Sequence, residues 1–359
     1  MIVIKAGGYF IGMNFSTLQN PSYLKPGDTI GVVAPSAGSA ELFPHRIVAA
    51  ERMLKQIGYR VKFAKHALER TAYVSGTAED RAADIHQMFL DEEVKAIICT
   101  IGGDHSNQLL KHLNFDLIAS HPKIFLGFSD ISVLHYAFAS KSNLRTFYGP
   151  ALMTQFGEYP ETLPYTIEYF QEAVTKTKPI GPVLPNETWT SEMLDWSQKK
   201  DLERPRALQR SSGYDWLRGG TATGSVIGGC ISSINHLTGT DYWIDPAKSI
   251  FFLDIPEGHE FGQGLAVQEV DSNLADLDNL GVFSSINGLI VGRPYNYSKE
   301  DLEKLRKLIE VYTQPHSYPV LFNANIGHAD PIITLPLGVQ ITLDSSRNLF
   351  SIDQSGVRD

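Results

Sequence analysis

The sequence predicts an α/β protein, with an N-terminal Rossmann-like parallel sheet followed by a C-terminal domain of mixed α/β structure. Three observations predict it. Short apolar runs rich in Val and Ile alternate with stretches of helical period through the first 142 positions. The turns that end these runs carry Ser36, Gly102-Gly103 and Ser129, which places all of them at one sheet edge. A loosely patterned, proline-rich stretch from about 158 to 210 then precedes a second series of strands and helices. The resulting division is an N-terminal extension (1–23), a Rossmann-like nucleophile domain (24–165), a connecting helix and loop (166–210) and a C-terminal domain (211–359).

Each element has its own signal. Pro26-Gly27-Asp28 is a turn, and Thr29 to Ala34 reads as a short buried strand. Ile47, Ala50, Met53, Leu54 and Ile57 mark a helix that Gly58 terminates. Residues 59–64 alternate in period two as the second strand, and Thr77-Ala78-Glu79-Asp80 is a capping sequence for the next helix. The run from Val94 to Thr100 is the third strand, with a helix expected from Ser106. Ile124-Phe125-Leu126-Gly127 is roughly the fourth, reversing through Phe128-Ser129-Asp130 into a helix. Beyond Trp216 the glycine-rich Gly224 to Cys230 is expected to lead into a helix. Strands are expected at Ser249 to Asp254, Ile286 to Gly292 and Val320 to Phe322, an amphipathic helix over 299–312, and hairpin structure near Gly338 to Leu343.

Composition narrows the classes. With 20% charged residues and a formal charge of −9, nucleic acid and anionic membranes are unsuitable as main partners. No run of eighteen apolar residues predicts a membrane span. The opening Met1 to Gly12 lacks the pattern of a signal peptide, and Met13 begins a more conventional sequence. Cys99 and Cys230 are the two cysteines, without metal-type spacing, so a reducing cytoplasm is expected and a disulfide framework is not.

Serine is a poor nucleophile unless a neighbouring base takes its proton and a third group fixes the base. Ser129, Asp254 and His328 each stand at the end of a predicted strand, in the order Ser…Asp…His that one known solution uses. Ser129 has the alternative reading of a helix N-cap, and His328 that of a solvated loop histidine. The backbone N–H groups of Gly102-Gly103 and Asp130 are placed to face a developing oxyanion, although a glycine pair also serves a tight turn. There is no G-x-G-x-x-G after the first strand, no Walker sequence and no second histidine to make a zinc motif with His259. No cofactor and no metal is therefore expected. Ile131 occupies the last position of what would be a G-x-S-x-G elbow, so an ordinary α/β-hydrolase is disfavoured.

Val33-Ala34-Pro35-Ser36, Ile101 to Asn107, Gly127-Phe128-Ser129-Asp130-Ile131, Tyr148-Gly149-Pro150, Gly228-Gly229, Gly288 to Arg293 and Gly327-His328 resemble the LD-carboxypeptidase family of serine peptidases, in order and over nearly the whole chain. Asn107 and the long Trp189 loop look most like its microcin C immunity branch. The resemblance implies a swivelling, barrel-like C-terminal domain, a homodimer and a metal-free Ser-Glu-His triad in which Ser129 attacks and His328 is the base. It implies oxyanion donation by Gly103 and Asp130, and substrate contacts near Gly102 and Asp104. The muropeptide branch removes a terminal D-amino acid from a tetrapeptide; the immunity branch cleaves the amide of an aminoacyl-nucleotide, with a loop tryptophan stacked on the base. Trp189 is the first candidate for that stacking and Trp196 the second. The family's usual glutamate is Asp254 here, one methylene shorter, so Glu257 is the alternative carboxylate, and a catalytically weakened protein that binds an aminoacyl-nucleotide or peptide is the alternative to an enzyme. Cys230 stands where asparagine is common.

Overall fold

The computed structural model describes residues 15–359. Its first sheet holds β1 (Thr29–Val33), β2 (Arg60–Phe63), β3 (Val94–Cys99), β4 (Ile124–Gly127) and β5 (Phe147–Tyr148), all parallel. Helices α1 (Pro44–Gln56), α2 (Ala78–Leu90), α3 (Phe115–Ser120) and α4 (Ser132–Ser142) cover its faces, and α5 (Pro164–Thr175) packs Phe170 against Tyr59 and Phe156. Strands β1 and β4 are buried at every position, as parallel strands covered on both faces require. Thr77 and Asp80 form the expected capping box of α2. The helix expected from Ser106 is only a 3₁₀ turn, Ser106–Leu109, because its backbone is drawn into the polar site described below.

The second half supplies β6 (Gly181–Pro182), the small ribbon β7 (Thr188–Trp189) and β8 (Gln209–Arg210), then β9 (Asp215–Arg218), β10 (Thr221–Cys230) and the short helix α6 (Ile231–Asn235). After β11 (Ile250–Asp254) come α7 (Val267–Asn279), α8 (Val282–Ser285), β12 (Gly288–Gly292), α9 (Lys299–Thr313), β13 (Val320–Ala324), β14 (Leu335–Pro336), β15 (Gln340–Asp344) and β16 (Leu349–Ile352). Eight of these strands form one mixed sheet, curled as a half-barrel, in the order β6-β16-β15-β10-β11-β12-β13-β9. The glycine-rich Gly224 to Cys230 is not merely a lead into a helix. It is the greater part of a ten-residue strand, and its glycines let other backbone come close: a Cβ on Gly228 would stand 1.9 Å from the carbonyl oxygen of Phe252.

The two halves share elements. Strand β14, from the C-terminal part, pairs antiparallel with β5 at the edge of the first sheet, giving the order β14-β5-β4-β3-β1-β2. Strand β6, from the connecting segment, pairs with β16. One hydrophobic cluster runs from Ile30 and Phe125 to Phe251 and Leu289, across both sheets. Part of the expected N-terminal extension, including Met1 to Gly12, lies outside the described residues. Phe15 and Leu18, within it, are buried in that same cluster.

Candidate active site

Three strand ends meet where the sheets adjoin. Ser129 follows β4 with φ +62°, a left-handed conformation that a non-glycine residue adopts only when its surroundings hold it there. The Tyr148 hydroxyl accepts from its N–H at 3.2 Å, and Ser132 Oγ donates to its carbonyl at 2.7 Å. Ser132 Oγ also accepts from the Cys230 N–H at 3.0 Å, which fastens the elbow to the end of β10. Ser129 lies at a 3₁₀ start but accepts no capping bond. Its Oγ lies instead 3.0 Å from Nε2 of His328.

Asp254, the last residue of β11, is fully buried, and its Oδ2 is 2.8 Å from His328 Nδ1. That contact is a close ion pair more than a straight hydrogen bond. The same oxygen accepts from the Tyr148 hydroxyl at 2.5 Å, while Oδ1 accepts from the His328 backbone N–H at 3.2 Å. The lost methylene is offset by close approach of the backbone. Gly327, at φ +95°, lies so near that a Cβ there would stand 1.9 Å from Oδ1. Glu257 is on the other side of the imidazole, with Oε2 3.2 Å from Nε2 and a half-exposed side chain. It does not reach the nitrogen that an orienting carboxylate would hold. Burial alone would lower the His328 pKa; Asp254, Glu257 and Asp330 outweigh it and raise the value to about 9.

Gly102 and Gly103 lie directly over the serine. A Cβ on Gly102 would fall 2.8 Å from Ser129 Oγ and 3.4 Å from the Asp130 nitrogen, and Gly103 has φ +137°. Among the described residues neither the Gly103 nor the Asp130 N–H has a partner in the protein. The buried Asp130 carboxylate ties this turn to the elbow: Oδ2 accepts from Ser36 Oγ at 2.6 Å and from the N–H groups of His105 and Ser106 at 3.0 and 2.8 Å. Burial pushes its pKa up, against the bonds from Ser36 and Ser106 that favour the charged form. Asp104 is exposed and does not line the cleft.

A cleft of about 530 Å³ opens over Ser129 and His328. Its far wall holds Arg46, Glu158, Asp201, Arg206 and Asp330 in one ion-pair network, with contacts of 2.7 to 3.8 Å. Trp196 lines this cleft, its ring under the Arg46 guanidinium at 4.3 Å. Trp189, the first candidate for stacking, does not. It sits in the β7–β8 ribbon, where Arg293 stacks on it at 4.5 Å. No group of three or more potential ligands suited to a metal ion occurs among the described residues. Sequence reasoning missed Tyr148 as the bridge between elbow and carboxylate, although Tyr148-Gly149-Pro150 stood out as a motif. It also missed the Asp130 side chain, whose partners lie far away in the chain.

This geometry coincides with a clear relationship. The LD-carboxypeptidase N-terminal domain matches residues 30–149, and the C-terminal domain of the same family matches residues 223–343. The chain belongs to the LD-carboxypeptidase family. It is 32% identical to the putative carboxypeptidase YocD of Bacillus subtilis over 88% of this chain and 93% of that protein. It is 30% identical to the microcin C7 self-immunity protein MccF of Escherichia coli, over 92% of this chain and 94% of that one. A probable murein peptide carboxypeptidase of Bacillus subtilis is 28% identical over 94% and 96%. The structure of MccF in complex with aspartyl sulfamoyl adenosine superposes with a TM-score of 0.87, at 28% identity, over 95% of this chain and all of that one. The chain is thus an enzyme, a serine-type carboxypeptidase of this family.

Proposed function

We propose that this enzyme cleaves the amide bond of a microcin C-type aminoacyl-nucleotide or related acyl-adenylate, with Ser129, His328 and Asp254 as its triad. The observation that carries the reading is the Ser129 Oγ–His328 Nε2 contact of 3.0 Å, with Asp254 at 2.8 Å behind the same ring. Ser129 Oγ attacks the carbonyl carbon as Nε2 takes its proton. The oxyanion accepts from the N–H groups of Gly103 and Asp130, and the imidazolium returns the proton to the departing nitrogen. Water, deprotonated by His328, then releases the acyl group from the serine. Asp254 supports the positive imidazolium, and Tyr148 holds Asp254 in place. His328 returns the proton it took from water to Ser129 Oγ as the acyl–oxygen bond breaks, which restores the free serine.

The nucleotide half of the substrate is supported by the size of the cleft and by Trp196 in its wall, which we assign as the aromatic platform in place of Trp189. It is further supported by MccF, which binds aspartyl sulfamoyl adenosine in a structure of the same architecture. The second reading, removal of a terminal D-amino acid from a muropeptide, draws on the murein peptide carboxypeptidase relative. A cytoplasmic homodimer is the form we expect for either; two free, buried cysteines suit a reducing compartment. Incubation with an aminoacyl sulfamoyl adenosine and with a tetrapeptide muropeptide, followed by mass, separates the readings. We expect cleavage of the adenosine compound, and a loss of about 10⁴-fold or more in Ser129→Ala with the fold retained. Retained turnover in that variant overturns the triad, and cleavage of the tetrapeptide alone overturns the substrate.

A further inference from the structure

The carboxylates around the cleft are not equally committed. Asp201, Glu158 and Asp330 are engaged by Arg46 and Arg206, and Glu192 by a forked pair to Arg204 at 2.7 and 2.8 Å. Glu260 accepts from Gln263 at 3.2 Å. Glu257 is different. Its only ion-pair partner among the described residues is His328 Nε2, at 3.2 Å, and more than half of its side chain is exposed. Nε2 is also the atom that must receive the Ser129 proton, 3.0 Å away. Glu257 and Ser129 therefore compete for one nitrogen.

We infer that Glu257 is the subsite for a free α-ammonium on the residue whose carbonyl Ser129 attacks, and that binding this ammonium releases Nε2 to act as the base. The inference rests on the aminoacyl reading above. An α-nitrogen lies about 2.5 Å from its own carbonyl carbon, two bonds away. Once that carbon is within about 3.5 Å of Ser129 Oγ, the ammonium is within reach of the carboxylate that borders Nε2. A tetrapeptide attacked at its third residue brings no such charge, because that α-nitrogen is already in an amide. Glu257 thus separates the two candidate substrate classes by chemistry at one atom.

The charge balance around the imidazole agrees. Asp254 faces it from the end of β11, Glu257 from the loop beyond, Asp330 from its own loop and Ser129 from the elbow. Asp330 is held by Arg206, and Tyr295, from the turn after β12, interacts with Glu257. Of these carboxylates Glu257 alone is open to solvent, so it is the one a substrate can neutralise. Doing so removes part of the support that keeps the free imidazole protonated.

The test uses the full chain, alanyl sulfamoyl adenosine, and the same compound with its amine acetylated. Native enzyme is expected to favour the free amine by about 10- to 100-fold in kcat/KM, the range of one charge-assisted hydrogen bond. In Glu257→Gln the preference falls to within about threefold, and Glu257→Asp recovers part of it. On the acetylated compound, whose nitrogen does not titrate, the pH limb of kcat/KM, expected to rise through about 9 in native enzyme, moves to lower pH in Glu257→Gln. An unchanged preference in Glu257→Gln overturns the inference while leaving the aminoacyl reading intact. If neither adenosine compound is cleaved and a muropeptide tetrapeptide is, the aminoacyl reading falls and takes this assignment with it.

Discussion

The bed of the cleft holds its reactive groups through short bonds inside the protein, whereas the rim presents its groups to solvent. At the bed, the Ser129 turn is tied by Tyr148, Ser132 and the Asp130 carboxylate to strands from both sheets. At the rim, residues 256–264 close on themselves through the Glu257–Gly264 bridge, and His259 and Phe261 stand largely in solvent. Buried and mutually bonded groups have one arrangement available, so the bed can hold a nucleophile at reacting distance. Exposed groups cost little to replace. With the proposed triad, the contrast assigns the chemistry to the bed and the choice of substrate to the rim.

Four substitutions test that division. Asp254→Asn keeps the shape of the bed but reverses a hydrogen-bonding edge beneath His328. We expect a loss of about 10³- to 10⁴-fold in kcat with KM little changed, measured on the substrate that native enzyme cleaves. A loss confined to KM would show that Asp254 is not the orienting carboxylate. Tyr148→Phe removes the donor to Asp254 and the acceptor for the Ser129 N–H at once. A fall of about tenfold to 10²-fold in kcat is expected, with thermal stability reduced by about 1–3 kcal/mol. At the rim, Trp196→Leu should raise KM for an aminoacyl sulfamoyl adenosine by about tenfold while sparing kcat, in line with the worth of one stacked base. Trp189→Leu, outside the cleft, should leave KM within about twofold. An equal effect from both tryptophans would erase the boundary drawn here between cleft wall and ribbon.

Most of the bed was legible in the sequence, because its residues stand at strand ends or in the turns just beyond them. Parallel sheets gather their strand ends at one edge, so Ser129, Gly103, Asp254 and His328 were candidates from pattern and resemblance together. Asp254 against Glu257 was not decidable along the chain. What lets Asp254 stand beside Nδ1 is Gly327, whose missing Cβ leaves room for the shorter carboxylate. The tryptophans were not legible either. They lie seven positions apart in an irregular segment with no period to orient side chains, and the pairing of β7 with β8 directs one of them elsewhere. Cys230, flagged as a departure from the family, proves buried and takes part in the bed through its backbone N–H.

The loan of β14 to the first sheet has a consequence for how the molecule comes into being. Leu335 and Pro336 pair with Tyr148 and Phe147 across nearly two hundred positions of sequence. A ribosome-bound chain that has finished its nucleophile domain still lacks that sheet's edge strand, and it has not yet made His328. The serine is therefore displayed early but armed late. With the proposed triad, no fragment short of residue 328 carries the base, so the growing polypeptide presents the serine without it until the last strands close.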